Sequence, residues 1–345
     1  MTAGMALVDA GHLWLEGIRR TDSGKSSRTI QDYTRTFTRH IDQPGEALRE
    51  KLRVKGGGIR GLSLADANNT QRLRAFLQAV ADVHGTQSAA SARSVLSGIL
   101  NLAVDNGTLP GSALKNVRAV ASQKPRPPRP GREPRDTRRA LTRDERARLL
   151  AYADGRAAEP ARPDTQRKWQ TAADLLAFMA GTGARVTEAR ALRWEDVDED
   201  IDGALLRGTK SHSSLRHVDF NTDLAERLRH RQEQTGGRGY VFASPYFTGQ
   251  YRDRETGLPL VAEPHERAWE QSNCAKALSA LLVGAGFSWA TPHCLRRTAA
   301  TLAHHGGAPL VAIADQLGHA DPSMTARVYL GRDYLGQRRS VAQHL

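Results

Sequence analysis

Apolar residues recur at helical spacing through the first third of the chain. In NTQRLRAFLQAVADVHG, Leu73 and Phe76 fall on one face together with later apolar residues, as the core side of an amphipathic helix requires. SAASARSVLSGILNLAVDNG has the same spacing, with Ser88 or Ser91 as the candidate N-cap. A third such face lies in KSSRTIQDYTRTFTRHI. Residues 1–121 are therefore predicted to form a small helical bundle.

The helical pattern breaks off in SQKPRPPRPGREPRDTRRA, residues 122–140. Repeated prolines cannot continue a helix and favour an extended chain, so this stretch is predicted to link two domains. Its basic residues suit an extended strand that follows a phosphate backbone, although a merely soluble linker has the same composition. The linker residues that we expect to contact DNA are Lys124, Arg126, Arg129, Arg132 and Arg135.

A second domain is predicted from residue 141 onward. Thr142 followed by Glu145 has the spacing of a capping box, which starts a helix. A stretch rich in Ala, Pro and Arg, residues 155–168, is predicted to interrupt the helices before another one that ends near Gly183.

Two short apolar runs, 204–206 and 215–220, flank a polar turn that contains Lys210. This pattern predicts a β-hairpin with the lysine near its tip. Residues 141–345 therefore read as a mixed α+β domain with a C-terminal tail, and the fold class of the whole chain is mainly α with one small sheet.

Charge narrows the class of partner. Lys and Arg number 50 against 37 Asp and Glu, which gives a net charge of +13 over 345 residues. Such a balance favours a polyanion such as nucleic acid, but a basic protein without that role would have the same charge. At 39% hydrophobic residues the chain can bury a core in each domain.

The cysteines and the N-terminal sequence indicate the cellular compartment. The two cysteines, Cys274 and Cys294, are too few for a disulfide framework and lack the spacing of a zinc site. No apolar run approaches the length of a membrane span, and the N-terminus lacks the pattern of a signal peptide. We expect a cytoplasmic, nucleoid-associated protein without a membrane span.

Histidine, arginine and tyrosine residues that could act together on a phosphate are concentrated near the C-terminus and in one earlier segment. TPHCLRRT contributes His293 and Arg296, LGHADPSMT contributes His319, and Tyr329 follows. The earlier segment GTGARVTEARALRW contributes Arg185. Each residue alone has an ordinary structural explanation, but the set suggests an enzyme that cuts DNA with a tyrosine.

That chemistry explains why these residue types are needed. When a phenol oxygen attacks a phosphodiester, negative charge develops on the non-bridging oxygens and a sugar hydroxyl must leave with a proton. Two arginines, Arg185 and Arg296, can each grip two phosphate oxygens without a metal ion. Histidines can hydrogen-bond the phosphate or move a proton, and Lys210 can protonate the leaving oxygen.

The arginine box, the hairpin lysine, the H-x-L-R box, the G-H pair and the following tyrosine together resemble the tyrosine recombinase, or phage integrase, family. The resemblance covers about residues 141–335. It implies a SAM-like core-binding bundle followed by a catalytic domain, which together close around duplex DNA. It also implies roles: Tyr329 as nucleophile, Lys210 as general acid, and Glu188 as the structural acid of the first arginine motif. Arg185 and Arg296 would form the phosphate clamp, supported by His293 and His319.

Two departures from the family pattern concern single positions. Arg297 stands where many relatives have a second histidine. The tyrosine lies ten positions after His319, whereas other members place it one residue earlier, at Val328 here. Tyr334 is the reserve candidate for the nucleophile.

The resemblance also implies partners and cofactors. It predicts double-stranded DNA at a specific recombination site, a homo-tetramer on that DNA, and room for accessory DNA-bending factors. It predicts neither a cofactor nor a metal, and the adjacent residues His304 and His305 cannot share a helix face as an i, i+4 metal pair does.

Three classes of function remain open at this point. The first is a site-specific recombinase that works through a covalent 3′-phosphotyrosine and a Holliday junction, as either a mobile-element or phage-type integrase or a chromosome- or plasmid-resolving enzyme. The second is a type IB topoisomerase, and the third is an inactive DNA-binding relative. The loop-like insertions and the Arg- and Ala-rich composition favour the element-borne integrase.

Overall fold

The computed structural model describes residues 1–20, 23–121, 133–134, 136, 138–208, 215–245, 264–319, 321, 323 and 325. The chain divides into two compact units, Met1–Pro127 and Pro128–Leu345. The fold is mainly helical with one small sheet, as the sequence predicts. The break between the units lies within the stretch that the prolines mark as a linker.

The first unit is a bundle of helices around an apolar core. Phe37, Leu73 and Phe76 are among its fully buried side chains, which confirms the core faces that the periodicity predicts. Its helices are α1 (Leu7–Arg19), α2 (Ser27–Phe37), α3 (Glu46–Lys55), α4 (Leu64–Ala67), α5 (Thr70–His84) and α6 (Thr86–Asp105), with a π-helical turn at Thr38–Asp42 and a 3₁₀ turn at Ala113–Asn116.

The predicted caps of α6 are wrong. The helix begins at Thr86, so Ser88 and Ser91 lie inside its first two turns. Their hydroxyls donate instead to the carbonyls four residues earlier, His84 and Gln87, at 3.1 Å each. Gly85, with a φ of 91°, takes the N-cap position because it reaches a conformation that a serine rarely adopts.

The second unit is built around one helix that is buried on all sides. Every residue from Thr171 to Ala180 is buried, which is the pattern of a helix surrounded by other elements. The described elements of this unit are α7 (Arg143–Ala158), the central α8 (Pro163–Thr182), α9 (Val186–Ala191), a 3₁₀ turn (Trp194–Asp196), β1 (Gly203–Arg207), β2 (Leu215–Asp219), α10 (Thr222–Thr235), a 3₁₀ turn (Pro264–Glu266), α11 (Gln271–Gly284), α12 (Pro292–His305) and α13 (Leu310–Leu317).

Two predictions about helix ends in this unit have opposite outcomes. Thr142 and Glu145 form the predicted capping box, with both reciprocal hydrogen bonds present. The predicted interruption at 155–168 is too long, because α7 continues to Ala158 and α8 already begins at Pro163. A proline at the first position of a helix starts it rather than stops it.

The predicted hairpin is present where the structure describes it. Strands β1 and β2 pair antiparallel, with Gly203 opposite Asp219 and Arg207 opposite Leu215. In β2 the buried positions are Arg216 and Val218, while Leu215 is 55% exposed. The inward-facing row of this strand therefore carries an arginine.

Candidate active site

A glycine turn places Arg185 at the start of α9. Helix α8 ends at Gly183, whose φ of 70° is in the left-handed region that glycine favours. A Cβ at Gly183 would lie 2.6 Å from Leu317 Cδ2, so the close approach of α13 also favours a glycine there. Two residues later Arg185 occupies the N-cap of α9. The turn thereby fixes the backbone from which the guanidinium of Arg185 extends.

Glu188 holds Arg185 from the first turn of α9. Its carboxylate accepts from the Arg185 backbone N–H at 2.8 Å and from Arg185 Nη1 at 2.6 Å. It also accepts from Arg216 Nη2 at 2.9 Å. Burial alone would raise the pKa of Glu188, but the hydrogen bonds from Arg216 and Arg185 hold that pKa below its usual value. Glu188 is therefore an ionised anchor between two arginines.

Arg296 is almost completely buried on α12, with 1% of its surface exposed. Its Nη1 donates to the carbonyl of Gly183 at 2.9 Å, and its Nη2 donates to the carbonyl of Leu317 at 2.5 Å. These two carbonyls end α8 and α13, where backbone oxygens lack partners within the helix. The guanidinium thus joins two helix ends and takes its direction from both.

His319 follows α13 directly, after the left-handed Gly318. Its Nε2 lies 2.9 Å from Arg296 Nη2, and its Nδ1 lies 2.7 Å from Thr325 Oγ1. Because a guanidinium only donates, Nε2 must be the acceptor and the ring proton must be on Nδ1. Nδ1–H then donates to the threonine hydroxyl, so the contacts of His319 define one tautomer.

Burial and neighbouring arginines lower the pKa values of both histidines. Burial is the largest cause that lowers the pKa of His319, followed by the charges of Arg296, Arg185 and Arg216; Glu188 opposes them, and the resulting pKa is about 4. Burial also lowers the pKa of His293, followed by Arg296, Arg297 and Arg185. Both imidazoles are consequently neutral at neutral pH. A field that rejects an added proton attracts an anion such as a phosphate.

The structure brings five of the sequence-predicted residues into this cluster: Arg185, Glu188, His293, Arg296 and His319. Lys210, Tyr329 and Tyr334 lie outside the described residues, so their roles stay predictions. The same holds for the linker residues Lys124, Arg126, Arg129, Arg132 and Arg135.

Two residues of the cluster were missed by sequence reasoning. Arg216 contacts Glu188, and Thr325 contacts His319. The signal for Arg216 was its place two residues before Val218 in a short strand, where alternation puts both on one face. Arg297 is also buried, with 7% of its surface exposed.

Within the described part of the chain, no group of three or more His, Cys, Asp and Glu side chains is arranged to hold a metal ion. Among the same residues, no helix is both long and apolar enough to cross a membrane.

Comparison with known proteins assigns the family. The model of the phage integrase family matches residues 139–334, which is more than half of the chain. The chain belongs to the phage integrase family of tyrosine recombinases. Tyrosine recombinase XerC of Rhodospirillum centenum is 30% identical over 320 residues, which cover 91% of this chain and 79% of that relative.

Other members of the family match over a shorter length. The chain spans about half of two further relatives: 44% of a XerC-like tyrosine recombinase of Caldanaerobacter subterraneus, at 28% identity, and 53% of XerC of Bradyrhizobium diazoefficiens, at 31% identity. Those alignments cover 45% and 54% of this chain.

Solved integrases share the fold. A lambda integrase tetramer bound to a Holliday junction matches with a TM-score of 0.65 at 18% identity, over 98% of this chain and 80% of that one. The Tn1549 transposon integrase in complex with transposon right end DNA matches with a TM-score of 0.60 at 14% identity, over 94% and 95%. The expected fold class is thereby confirmed for this member of the family.

Proposed function

We propose that this protein is a site-specific DNA recombinase that breaks and rejoins duplex DNA through a covalent 3′-phosphotyrosine. One observation carries the proposal: Arg185, Arg296, His293 and His319, which are distant in sequence, meet in one positively charged cluster. Membership of the phage integrase family supports it. Both structural neighbours named above were solved with DNA, one at a Holliday junction and one at a transposon end.

The scissile phosphate is the group that the phosphate clamp, Arg185 and Arg296, would bind. Arg296 is fixed by two carbonyls and Arg185 by Glu188. Side chains fixed in this way need little reorganisation as charge develops on the non-bridging oxygens, which is the condition for electrostatic stabilisation of a transition state. The clamp therefore supplies the positive charge that a metal ion supplies in other phosphoryl-transfer enzymes.

In the cleavage step, the phenolic oxygen of Tyr329 attacks phosphorus and the bond from phosphorus to the 5′ oxygen breaks. Lys210 gives a proton to the departing 5′ oxygen, and a neutral imidazole accepts the phenolic proton. We assign that proton to one of the two histidines of the cluster, His293 or His319, since the pKa of each is lowered and both are neutral at neutral pH. Attack of a 5′ hydroxyl from another strand on the phosphotyrosine reverses the step and rejoins the DNA.

The finer proposal is a mobile-element or phage-type integrase that acts as a homo-tetramer on paired sites in nucleoid DNA, with accessory DNA-bending factors where the site requires them. The element-borne integrases among the structural neighbours are consistent with it. A chromosome- or plasmid-resolving enzyme is the second candidate, because curated relatives carry the names XerC and XerD.

A suicide-substrate assay tests the proposed chemistry. Nicked duplexes that tile the DNA flanking the gene lose the short 5′-hydroxyl fragment after cleavage, so a covalent complex accumulates and survives SDS. Wild-type protein is expected to form such complexes on one of these duplexes. Tyr329→Phe is expected to form none, whereas the matched control Tyr334→Phe retains them.

Each other result excludes a part of the proposal. Adducts that persist in Tyr329→Phe and vanish in Tyr334→Phe would move the nucleophile to Tyr334. Relaxation of supercoiled plasmids that lack the site would indicate a topoisomerase. The absence of adducts on every duplex would contradict the recombinase.

A further inference from the structure

Arg216 is a buried arginine to which the proposed reaction gives no role. It lies on the inward row of β2 with 8% of its surface exposed. Its Nη2 donates to Glu188 Oε2 at 2.9 Å, and its Nε donates to the carbonyl of Gln316 at 2.8 Å. One guanidinium therefore contacts two residues, Glu188 and Gln316, that are 128 positions apart in the chain.

The contact with Glu188 acts on the first clamp arginine. Glu188 has two oxygens: Oε1 accepts from Arg185 Nη1, and Oε2 accepts from both the Arg185 backbone and Arg216. A carboxylate held on one side by β2 can rotate less. The direction of the Arg185 side chain, which is 40% exposed, depends on that carboxylate.

The contact with Gln316 acts on the second clamp arginine. The carbonyls of Gln316 and Leu317 are consecutive at the end of α13, and they accept from Arg216 and Arg296 respectively. Arginines are favourable at this end of a helix because its last carbonyls lack partners and carry partial negative charge. The Gln316 side chain also pairs with the Asp219 backbone at 3.4 Å in both directions, which ties α13 to β2.

We propose that Arg216 is a positioning residue that sets the two arginines of the phosphate clamp at a fixed spacing. It does so by holding Glu188, which contacts Arg185, and the end of α13, which contacts Arg296. This role rests on the proposed recombinase chemistry. Arg216 is not assigned a contact with DNA, since its guanidinium is buried against protein atoms.

A feature of Arg216 itself supports a role other than stability. Its Nη1 is out of contact with solvent and has no hydrogen-bond partner among the described residues. An unsatisfied buried donor is unfavourable, and a buried ion pair is often no more stabilising than an apolar side chain of the same volume. Arg216→Met should therefore fold, with Glu188 still held by Arg185.

The chain offers a matched control in Arg231. This arginine is 5% exposed, donates from Nε to the carbonyl of Val241 at 2.6 Å, and donates from Nη1 to Asp174 Oδ2 at 2.7 Å. In Arg231→Met, Asp174 would still be held by Arg227 at 3.1 Å. The two variants thus remove the same kind of buried bridge, but Arg231 has its partners outside the site.

Three versions of the suicide duplex separate a clamp defect from other defects. The first has an ordinary phosphate at the cleavage position. The second has a methylphosphonate there, which removes the negative charge that the clamp stabilises. The third has a 5′-bridging sulfur, whose thiolate leaves without needing a proton.

Arg216→Met is expected to slow covalent cleavage by about 100-fold on the ordinary duplex, which is the usual effect of impairing one transition-state contact. The loss should shrink to less than about 10-fold on the methylphosphonate and remain near 100-fold on the bridging-sulfur duplex. Arg231→Met is expected to change all three rates by one common factor. Arg216→Lys should recover little, since one ammonium cannot reach both Glu188 and Gln316 in the same directions.

Titration of His319 by NMR gives a readout that needs no DNA. Arg216 is one of the positive neighbours that hold the pKa of His319 low, so the pKa should rise in Arg216→Met and stay unchanged in Arg231→Met. An unchanged pKa in both variants would show that Arg216 does not face this site.

An equal loss of rate on all three duplexes would overturn the positioning role in favour of a structural one, and rescue by the bridging sulfur would assign Arg216 to leaving-group protonation instead. A wild-type protein that cleaves none of the duplexes would overturn the recombinase itself, and that failure is distinct from a defect confined to Arg216→Met.

Discussion

The two compact units keep their arginines in different places. In the first unit, the side chains of Arg28, Arg35 and Arg60 are 63%, 68% and 58% exposed, and each lies within 4 Å of an aspartate. Among the described residues, the polar residues of this unit that are buried as a whole are His40 and Ser112, and neither is an arginine. Its positive charge is thus at the surface, where it acts through a long-range field that salt screens.

In the second unit, arginines are part of the interior. Arg216, Arg231, Arg296 and Arg297 are each at most 8% exposed. A buried guanidinium is unfavourable unless hydrogen bonds compensate for its lost hydration, so each is held in one geometry by its partners. In the proposed recombinase, we assign the attraction of DNA to the surface charge of the first unit and the stabilisation of the transition state to the buried arginines of the second.

The largest expected effect comes from changing the geometry of a buried arginine while keeping its charge. Arg296→Lys should slow covalent cleavage by about 10²- to 10³-fold, because one ammonium cannot donate to the carbonyls of Gly183 and Leu317 and also grip a phosphate. Rates of adduct formation on the suicide duplex measure the effect.

Arg60→Lys in the first unit is the matched control. Arg60 also donates to a carbonyl and a side chain, both of Asp42, at 2.7 and 3.4 Å, but it is exposed. We expect less than about a 2-fold change in the cleavage rate, since exposed ion pairs contribute little. Equal losses in the two lysine variants would remove the distinction between buried and exposed arginines.

The next largest effect is expected in the pH dependence of stability. One buried histidine from each unit allows the two units to be compared. Burial is the main cause that lowers the pKa of both His40 and His319 to about 4. An unfolded imidazole titrates near 6.5, so between pH 6.5 and 4 the unfolded chain binds more protons than the folded one. The free energy of unfolding should therefore be intact above pH 7 and fall toward pH 4, by at most about 3 kcal/mol for each histidine.

Replacing each histidine by phenylalanine should have opposite consequences at pH 7. His319→Phe removes the hydrogen bond that His319 accepts from Arg296 and the one that it donates to Thr325, and it should lower the free energy of unfolding by about 1–3 kcal/mol. Nδ1 of His40 is buried and has no hydrogen-bond partner in the described part of the chain, so His40→Phe should be neutral or stabilising and should also flatten the acid dependence. Urea unfolding from pH 7 to 4 measures both, and a destabilised His40→Phe would contradict this difference.

The sequence predicted the elements and motifs of the cluster better than the contacts between them. Helix starts at Thr142 and Arg185, and the glycine end of α8, follow from local chemistry that lies within a few residues. Arg216 was missed because its two partners, Glu188 and Gln316, are distant along the chain and only packing brings them together. Local spacing carries no information on which carbonyl a buried arginine will meet.

The N-cap of α6 was predicted wrongly because a local pattern was again compatible with more than one set of contacts. A serine at the start of a helical pattern is a good candidate cap, but its hydroxyl can also donate to the carbonyl four residues earlier within the helix, as Ser88 does. The choice depended on Gly85, whose positive φ sets the turn between α5 and α6. Two short-range signals competed, and the more permissive backbone determined the boundary.

The smallest effect should come from surface arginines of the first unit. Arg28 and Arg35 lie one on each side of Asp32 on α2, at 3.3 and 3.9 Å from its carboxylate. If they contact phosphates, changing both to glutamine should weaken DNA binding uniformly across sequences and reduce the slope of log K against log salt by about 2. Cleavage at saturating DNA should change by less than about 2-fold, since neither arginine belongs to the clamp.

Fluorescence anisotropy from 50 to 200 mM KCl measures the slope. Arg296→Lys is the opposite case, because its cleavage is slow while its salt dependence stays near that of the wild type. An unchanged slope in the double variant would place the DNA-binding charge of this unit on another face.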